Sequence, residues 1–198
     1  MIPIIIMASL KRNTRWRTFF NWLGIGISSA YLVLTIFNMR HVDDLFKRAL
    51  ANRHIQPIRC QSTATIFNNI LWACVAEDQH AYYMGAYSLF DSDPNFHYIS
   101  VLPKLDSVRT ALAGNKDYEK IKWLAHGYLA EFKTDSATYV CDLRYGAIGD
   151  TVRNHTDLFM NWKVTEENGK LKFSEYREPL KGGFGAAFRH LWTRIKGY

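Results

Sequence analysis

The alternation of apolar and polar positions divides the chain into segments of different character. From Thr18 to Met39 there are 22 residues without a charge. As a helix rising about 1.5 Å per residue, such a run covers roughly the 30 Å of a bilayer core. Trp16 and Trp22 stand near its entrance, where amphipathic rings favour the interface. The spacing predicts a retained transmembrane helix over 18–39, not a cleaved leader: the run is too long, and the Ala49-Leu50-Ala51 triplet lies well beyond it, behind charged residues. Ahead of it, "MIPIIIMASL" is apolar but too short to cross a bilayer and reads as the end of an earlier membrane helix, followed by a basic loop. A membrane segment over 1–40 is therefore expected, in the tail of a longer membrane protein. Gly24 and Ser28, like Gly26 and Ala30, are four apart, so small residues cluster where another transmembrane helix could pack closely.

Past residue 40 the periodicity changes. "HVDDLFKRALANRHI" has helical spacing, with Val42, Leu45, Phe46 and Leu50 on one stripe. "TATIFNNILWACVAED" and "HAYYMGAYSLFDSD" are β-rich runs, apolar on both faces, that read as a hairpin central in a sheet. "FHYISVLP" reads as a strand stopping at Pro103, and "SVRTALAG" and "DYEKIKWLAHG" as helices ended by Gly114 and Gly127. Two further hairpins follow, with turns at Thr134–Ser136 and Asn168–Gly169. The last segment, "FGAAFRHLWTRIKGY", is an amphipathic helix with Phe184, Phe188, Leu191, Trp192 and Ile195 on one stripe. It is suited equally to a membrane surface or to the protein's own sheet. The expected class is α+β: a transmembrane helix, then a mainly antiparallel β-sheet domain with flanking helices over 41–180, with roughly six or seven strands. A basic C-terminal helix over 181–198 completes the chain.

The net charge of +7 changes this picture only once it is located. Residues 1–40 hold five basic residues and no acid, and residues 181–198 hold four more without an acid, while 41–180 carry 16 Lys and Arg against 18 Asp and Glu. A neutral body with basic ends excludes a nucleic-acid footprint and suits membrane lipid as partner. Four basic residues precede the span closely and Arg40 follows it, so the positive-inside tendency places the start in the cytoplasm and the body outside it, on the periplasmic side.

Candidate chemistry is sparse. The cysteines, Cys60, Cys74 and Cys141, lack C-x-x-C spacing, and the histidines form no metal motif. His41 and Asp44 share a helix side and read chiefly as a solvated helix start; no metal ligands are assigned. Polar residues that interrupt apolar strands stand out: Asn68, Asn69, Tyr87, Ser88, Asp91, Asp142 and Arg144. Gathered at one sheet end, they would make either a polar pocket for a small ligand or a structural hydrogen-bond network. In "TYVCDLRYG" the period of two sets Asp142 beside Arg144, just before Gly146.

The succession "FNWLGIGISSAYL", "FNNILW", "YYMGAYSLFD", "WLAHGYLAEF" and "DLRYG" resembles the C-terminal half of the bacterial inner-membrane metal-dependent hydrolase family, over nearly the whole chain. The resemblance implies a divalent metal and a hydrolase activity for the family, and it covers Asn68, Trp72, Tyr87, Ser88, Asp91, Asp142, Arg144 and Gly146. Two features depart from it. The stretch "STATIFNN" lacks the family's prolines, and the family's His/Asp metal motifs belong to an N-terminal membrane half that this sequence does not contain. The expectation is a membrane-anchored C-terminal portion without the metal site, or else a non-enzymatic anchored module that binds a lipid head group, a wall fragment or a protein.

Overall fold

The computed structural model describes residues 15–66, 68–167, 169–177 and 183–197. The apolar start, residues Lys11 and Arg12 of the basic loop, the hairpin tip at Asn168, Lys181 at the start of the basic C-terminal segment and the side chain of Phe184 lie outside the described residues. The contacts divide the chain into two compact units on either side of the Arg40–His41 bond. Helix α1 runs Arg15–Ala51. Its portion in the first unit, from Trp16 onward, is largely exposed, with Trp22, Leu32 and Phe37 among its exposed side chains. Ser28 and Thr35 return their hydroxyls to the carbonyls of Gly24 and Tyr31, at 3.0 and 2.9 Å, so these polar groups need no outside partner. This helix lies near the N-terminus and is long and apolar enough to cross a membrane.

The second unit is built in layers. Strands β1 (Arg59–Ala64), β2 (Leu71–Glu77), β3 (Ala81–Ser88) and β4 (Ser100–Pro103) form one antiparallel sheet in chain order. Strands β5 (Leu129–Lys133), β6 (Thr138–Ala147), β7 (Leu158–Glu167) and β8 (Lys170–Tyr176) form a second. Val42, Leu45, Phe46 and Leu50, the predicted stripe, bury against Trp72, Cys74, Tyr83 and Tyr87 on one face of the first sheet. The other face packs Val75, Tyr82 and Met84 on Tyr139, Cys141 and Leu143 of β6. Beyond the second sheet, Val140 and Leu129 meet helices α2 (Asp106–Leu112) and α3 (Lys116–Leu124) through Val108, Leu112 and Ile121. Each fully buried side chain of this kind contributes about 1.5–3 kcal/mol.

The class is the α+β class expected, but the strands number eight among the described residues and form two sheets, not one. A strand apolar on both faces has the same pattern whether helix or sheet covers it, so stacking does not show in the alternation. The run "TATIFNNILWACVAED" is not one strand. Asn68 accepts from the backbone N–H groups of Ile70 (3.0 Å) and Leu71 (2.7 Å), which turns the chain between β1 and β2.

The β2–β3 turn carries an acid-sensitive cluster. Asp78 accepts from the N–H groups of His80 and Ala81, both at 2.7 Å, and from the Tyr83 hydroxyl at 2.6 Å. Glu77 pairs with Lys104 at 2.6 Å and with Arg59. Burial alone would raise both carboxyl groups, but these donors outweigh it and hold both below their ordinary values, near 4.5 for Glu77 and 3.8 for Asp78. The native state therefore binds fewer protons than the unfolded chain as the pH approaches these values, and stability present above them is lost as the pH falls through the lower, folded values. The urea midpoint should drop as the pH is lowered below about 4.5, and Glu77→Gln should flatten that drop.

Candidate ligand-binding cavity

Strand β6 is the origin of the cavity. It pairs regularly with β7 up to Asp142, then shifts register before Ala147 pairs with Leu158. A bulge of this kind bends a strand and disrupts its ladder locally. Gly146, within the shifted stretch, has φ of 77° and lies so near β2 that a Cβ there would come within 2.8 Å of the Ala73 methyl. Both the left-handed backbone and the close approach require glycine. Gly146→Ala should cost about 1–3 kcal/mol, read as a lower denaturation midpoint.

Past this point the two sheets enclose a cavity of about 340 Å³, roofed by helix α4 (Gly183–Ile195). Leu71, Ala73, Met84 and Ala86 form the floor on the first sheet, and Tyr145 to Asp150 with Val152 form a wall. Phe188, Leu191 and Arg194 come from α4. The wall loop is fixed by Ser100, whose hydroxyl accepts from the N–H of Val152 at 2.8 Å, and by Asp157, which accepts from the N–H groups of Arg153 and Asn154. The volume falls within the usual range of small-molecule sites.

The polar end of the cavity is an ion cluster that holds α4 in place. The buried Arg194 guanidinium forks onto Asp91, Nη1 to Oδ1 at 2.7 Å and Nη2 to Oδ2 at 2.8 Å. Its Nε reaches Asp150 at 3.1 Å, and Nη2 reaches the Ala86 carbonyl at 3.2 Å. One turn of the same contact caps the helix: the Ser88 hydroxyl donates to the Ile195 carbonyl at 2.7 Å. Gly197, with φ of 90°, sits against the backbone of Phe90 and Asp91, where any side chain would overlap it. Ser88 and Asp91 are thus brought together with an unforeseen partner. The signal for it was an arginine on the apolar face of α4, flanked by Leu191 and Ile195.

The other sequence candidates do not join this group. Asn68 ties the β1–β2 turn, Asn69 is buried beside it, and Tyr87 lies in the core under α1, 5.5 Å from the Phe96 ring. Asp142 is buried and holds the Arg144 guanidinium by Nη2 to Oδ2 at 2.7 Å and by Nε to Oδ1 and Oδ2 at 3.1 and 3.3 Å, and it also accepts the Arg144 N–H at 3.0 Å. By the alternation of β6 this pair stands on the face opposite Leu143, away from the space between the sheets.

The helix α4 docks on the protein through its last turn, where Arg194 and Ile195 are buried, while Phe188 and Trp192 remain exposed. The three cysteines are unpaired and lie outside the cavity lining. Burial, with a smaller push from Asp43, raises the Cys60 thiol to about 12, and burial raises Cys74 and Cys141 as well, so all three stay protonated at neutral pH. Among the described residues no three His, Cys, Asp or Glu side chains gather closely enough to hold a metal ion. The donor set that a divalent metal would need is therefore not offered by them. Comparison with known proteins finds no matching family model, curated protein or solved structure. The likeness to the membrane hydrolases thus stands on the quoted motifs alone.

Proposed function

We propose that this chain is a membrane-anchored binding module whose cavity takes up an apolar chain of the lipid acyl type. The observation that carries this reading is the cavity itself: about 340 Å³ between two sheets, with a mostly apolar lining that includes Leu71, Ala73, Met84, Val152 and Leu191. An acyl chain gains about 0.8 kcal/mol for each methylene moved from water to such a lining. The apolar helix α1 is consistent with a bilayer as the source of such a ligand, the body standing on the periplasmic side of a bacterial inner membrane.

The test uses the full chain in nanodiscs containing a phosphatidylcholine with a photoreactive acyl chain. Adducts are expected on β2 and β3, between Leu71 and Ser88. Ala86→Leu, which adds three side-chain carbons to the floor and so displaces about as many methylenes of the ligand, should lower their yield at least tenfold with little change in thermal midpoint. Adducts confined to 15–40 would overturn the reading.

A second reading follows the five ordered motifs: the chain is the C-terminal portion of a metal-dependent hydrolase, with its body positioning substrate over a metal site supplied by preceding helices. Metal analysis and hydrolase screening, on this chain and on an N-terminally extended form, separate the readings. Metal and activity in the extended form alone favour the hydrolase portion.

A further inference from the structure

The mouth of the cavity is ringed by exposed apolar side chains from four separate segments: Ile66 after β1, Tyr145 on β6, Phe159 on β7 and Phe188 on α4. Their exposure runs from 41% to 62%, although all four line the cavity. Trp192 continues the ring one turn along α4 from Phe188. Exposed apolar side chains gathered as a collar around one cavity mark a binding surface, unlike apolar residues scattered singly.

Charge identifies what the collar meets. Arg144, fixed from behind by Asp142, holds its guanidinium 5.8 Å from the Tyr145 ring centre. Lys196 places its ammonium 5.8 Å from the ring centre of Trp192. Arg189 is exposed on the same helix, which carries no acid between Gly183 and Gly197. Aromatic rings paired with cations suit the headgroup layer of an anionic bilayer, where the ring enters the acyl boundary and the cation meets phosphate. A protein partner would be favoured by acidic complement and shape, for which the collar offers no built pocket beyond the cavity itself.

We infer that the collar of Ile66, Tyr145, Phe159, Phe188 and Trp192 seats on an anionic bilayer surface and opens the cavity to it. This rests on the acyl-chain reading for the role of the cavity, but the seating is a separate property. An acyl chain would pass from the bilayer into the cavity without crossing water. Arg144 acts here by positioning Tyr145, which gives "DLRYG" a place at the membrane face.

The experiment places an environment-sensitive fluorophore on single added cysteines in the full chain, in nanodiscs of phosphatidylcholine with phosphatidylglycerol. The native thiols are buried or half-buried with raised pKa values, so they label poorly. Phe188→Cys on α4 and Phe159→Cys on β7 report the collar, the second serving if the first disturbs α4. Trp123→Cys on α3, 80% exposed and on the outer layer of the second sheet, is the reference. Spin-labelled lipid should quench the collar positions several-fold more than position 123, and Lys196→Gln should reduce that quenching on anionic nanodiscs but not on pure phosphatidylcholine. Equal quenching at 188, 159 and 123 overturns the seating. If acyl-chain adducts on β2 and β3 persist in that case, the cavity reading survives and only the collar inference falls.

Discussion

Replacing Arg109 with alanine should lower unfolding free energy by about 3–5 kcal/mol, the cost of breaking a buried ion pair from one side. Glu131 lies on β5 with its side chain fully buried. Arg109, on α2, meets both of its oxygens through Nε, at 2.9 and 3.0 Å. The same guanidinium donates Nη2 to the Tyr82 hydroxyl at 2.8 Å and to the Leu129 carbonyl at 2.9 Å, joining α2 to both sheets. Tyr118 of α3 adds its hydroxyl to Glu131 at 3.2 Å. Burial pushes the Glu131 carboxyl up, and the Arg109 fork with the Tyr118 hydroxyl pulls it back toward the charged form. Without Arg109 the Tyr118 hydroxyl and a backbone N–H would be left to hold a carboxylate cut off from water, too little for a full charge, so the group must protonate or the helix layer must open. Urea denaturation measures the loss. Exchanging both partners together, Arg109→Met with Glu131→Leu, should recover most of it, because the cost lies in the orphaned charge and not in the missing attraction. A double variant as unstable as Arg109→Ala would show that the guanidinium's bonds to Tyr82 and Leu129 carry the effect.

This cluster also shows where the sequence stops being readable. Val42, Leu45, Phe46 and Leu50 follow a helical period, and the structure buries all four, because periodicity encodes which face meets a core. Asp142 and Arg144 stand side by side because a strand's period is two, and that local relation holds in the structure. Periodicity contains no information about which core a face meets. Glu131 sits in "YLAEFK", where it reads as the polar member of an alternating strand, yet α2 covers it. Ser88 and Ile195 are hydrogen-bonded although 107 positions apart, and no local pattern links them.

The scattered polar residues illustrate the same limit. Asn68, Asn69, Tyr87, Ser88, Asp91, Asp142 and Arg144 each interrupt an apolar run, which marks them as polar groups that need hydrogen-bond partners wherever they are buried. It does not say that those partners are one another. Asn68 finds backbone N–H groups, Asp91 finds Arg194 on the last helix, and Asp142 finds its neighbour Arg144. The apolar floor of the cavity left no trace in the sequence, since small and branched apolar residues such as Ala73, Ala86 and Val152 serve equally in a filled core. What shapes the space is the bulge after Asp142, a backbone event marked in the sequence only by Gly146.

Arg194→Ala should release helix α4, and its effect should be large but bounded. The Asp91 carboxylate is fully buried and its Arg194 partner nearly so, a setting in which removal of one partner costs about 3–5 kcal/mol. Here the molecule has an escape that the Arg109 site lacks. Arg194 lies in the last turn of α4, and undocking that turn returns Asp91 and Asp150 to water without unfolding the sheets. The loss in global stability is therefore capped at the free energy with which α4 docks, and the remainder appears as local opening. Hydrogen exchange in 183–197 and tryptic cleavage after Arg189 should rise steeply, while the urea midpoint of the sheet core moves less than in Arg109→Ala. Arg194→Lys should fall between, because an ammonium cannot fork onto Asp91 while also reaching Asp150. Asp150→Asn should do little, since that carboxylate is partly solvated and makes one bond to Arg194. If instead the sheet core and α4 lose protection together in Arg194→Ala, the helix is part of the cooperative fold. Undocking of the last turn would then not be available as a separate event, and the cost of the orphaned Asp91 charge would fall on the whole unit.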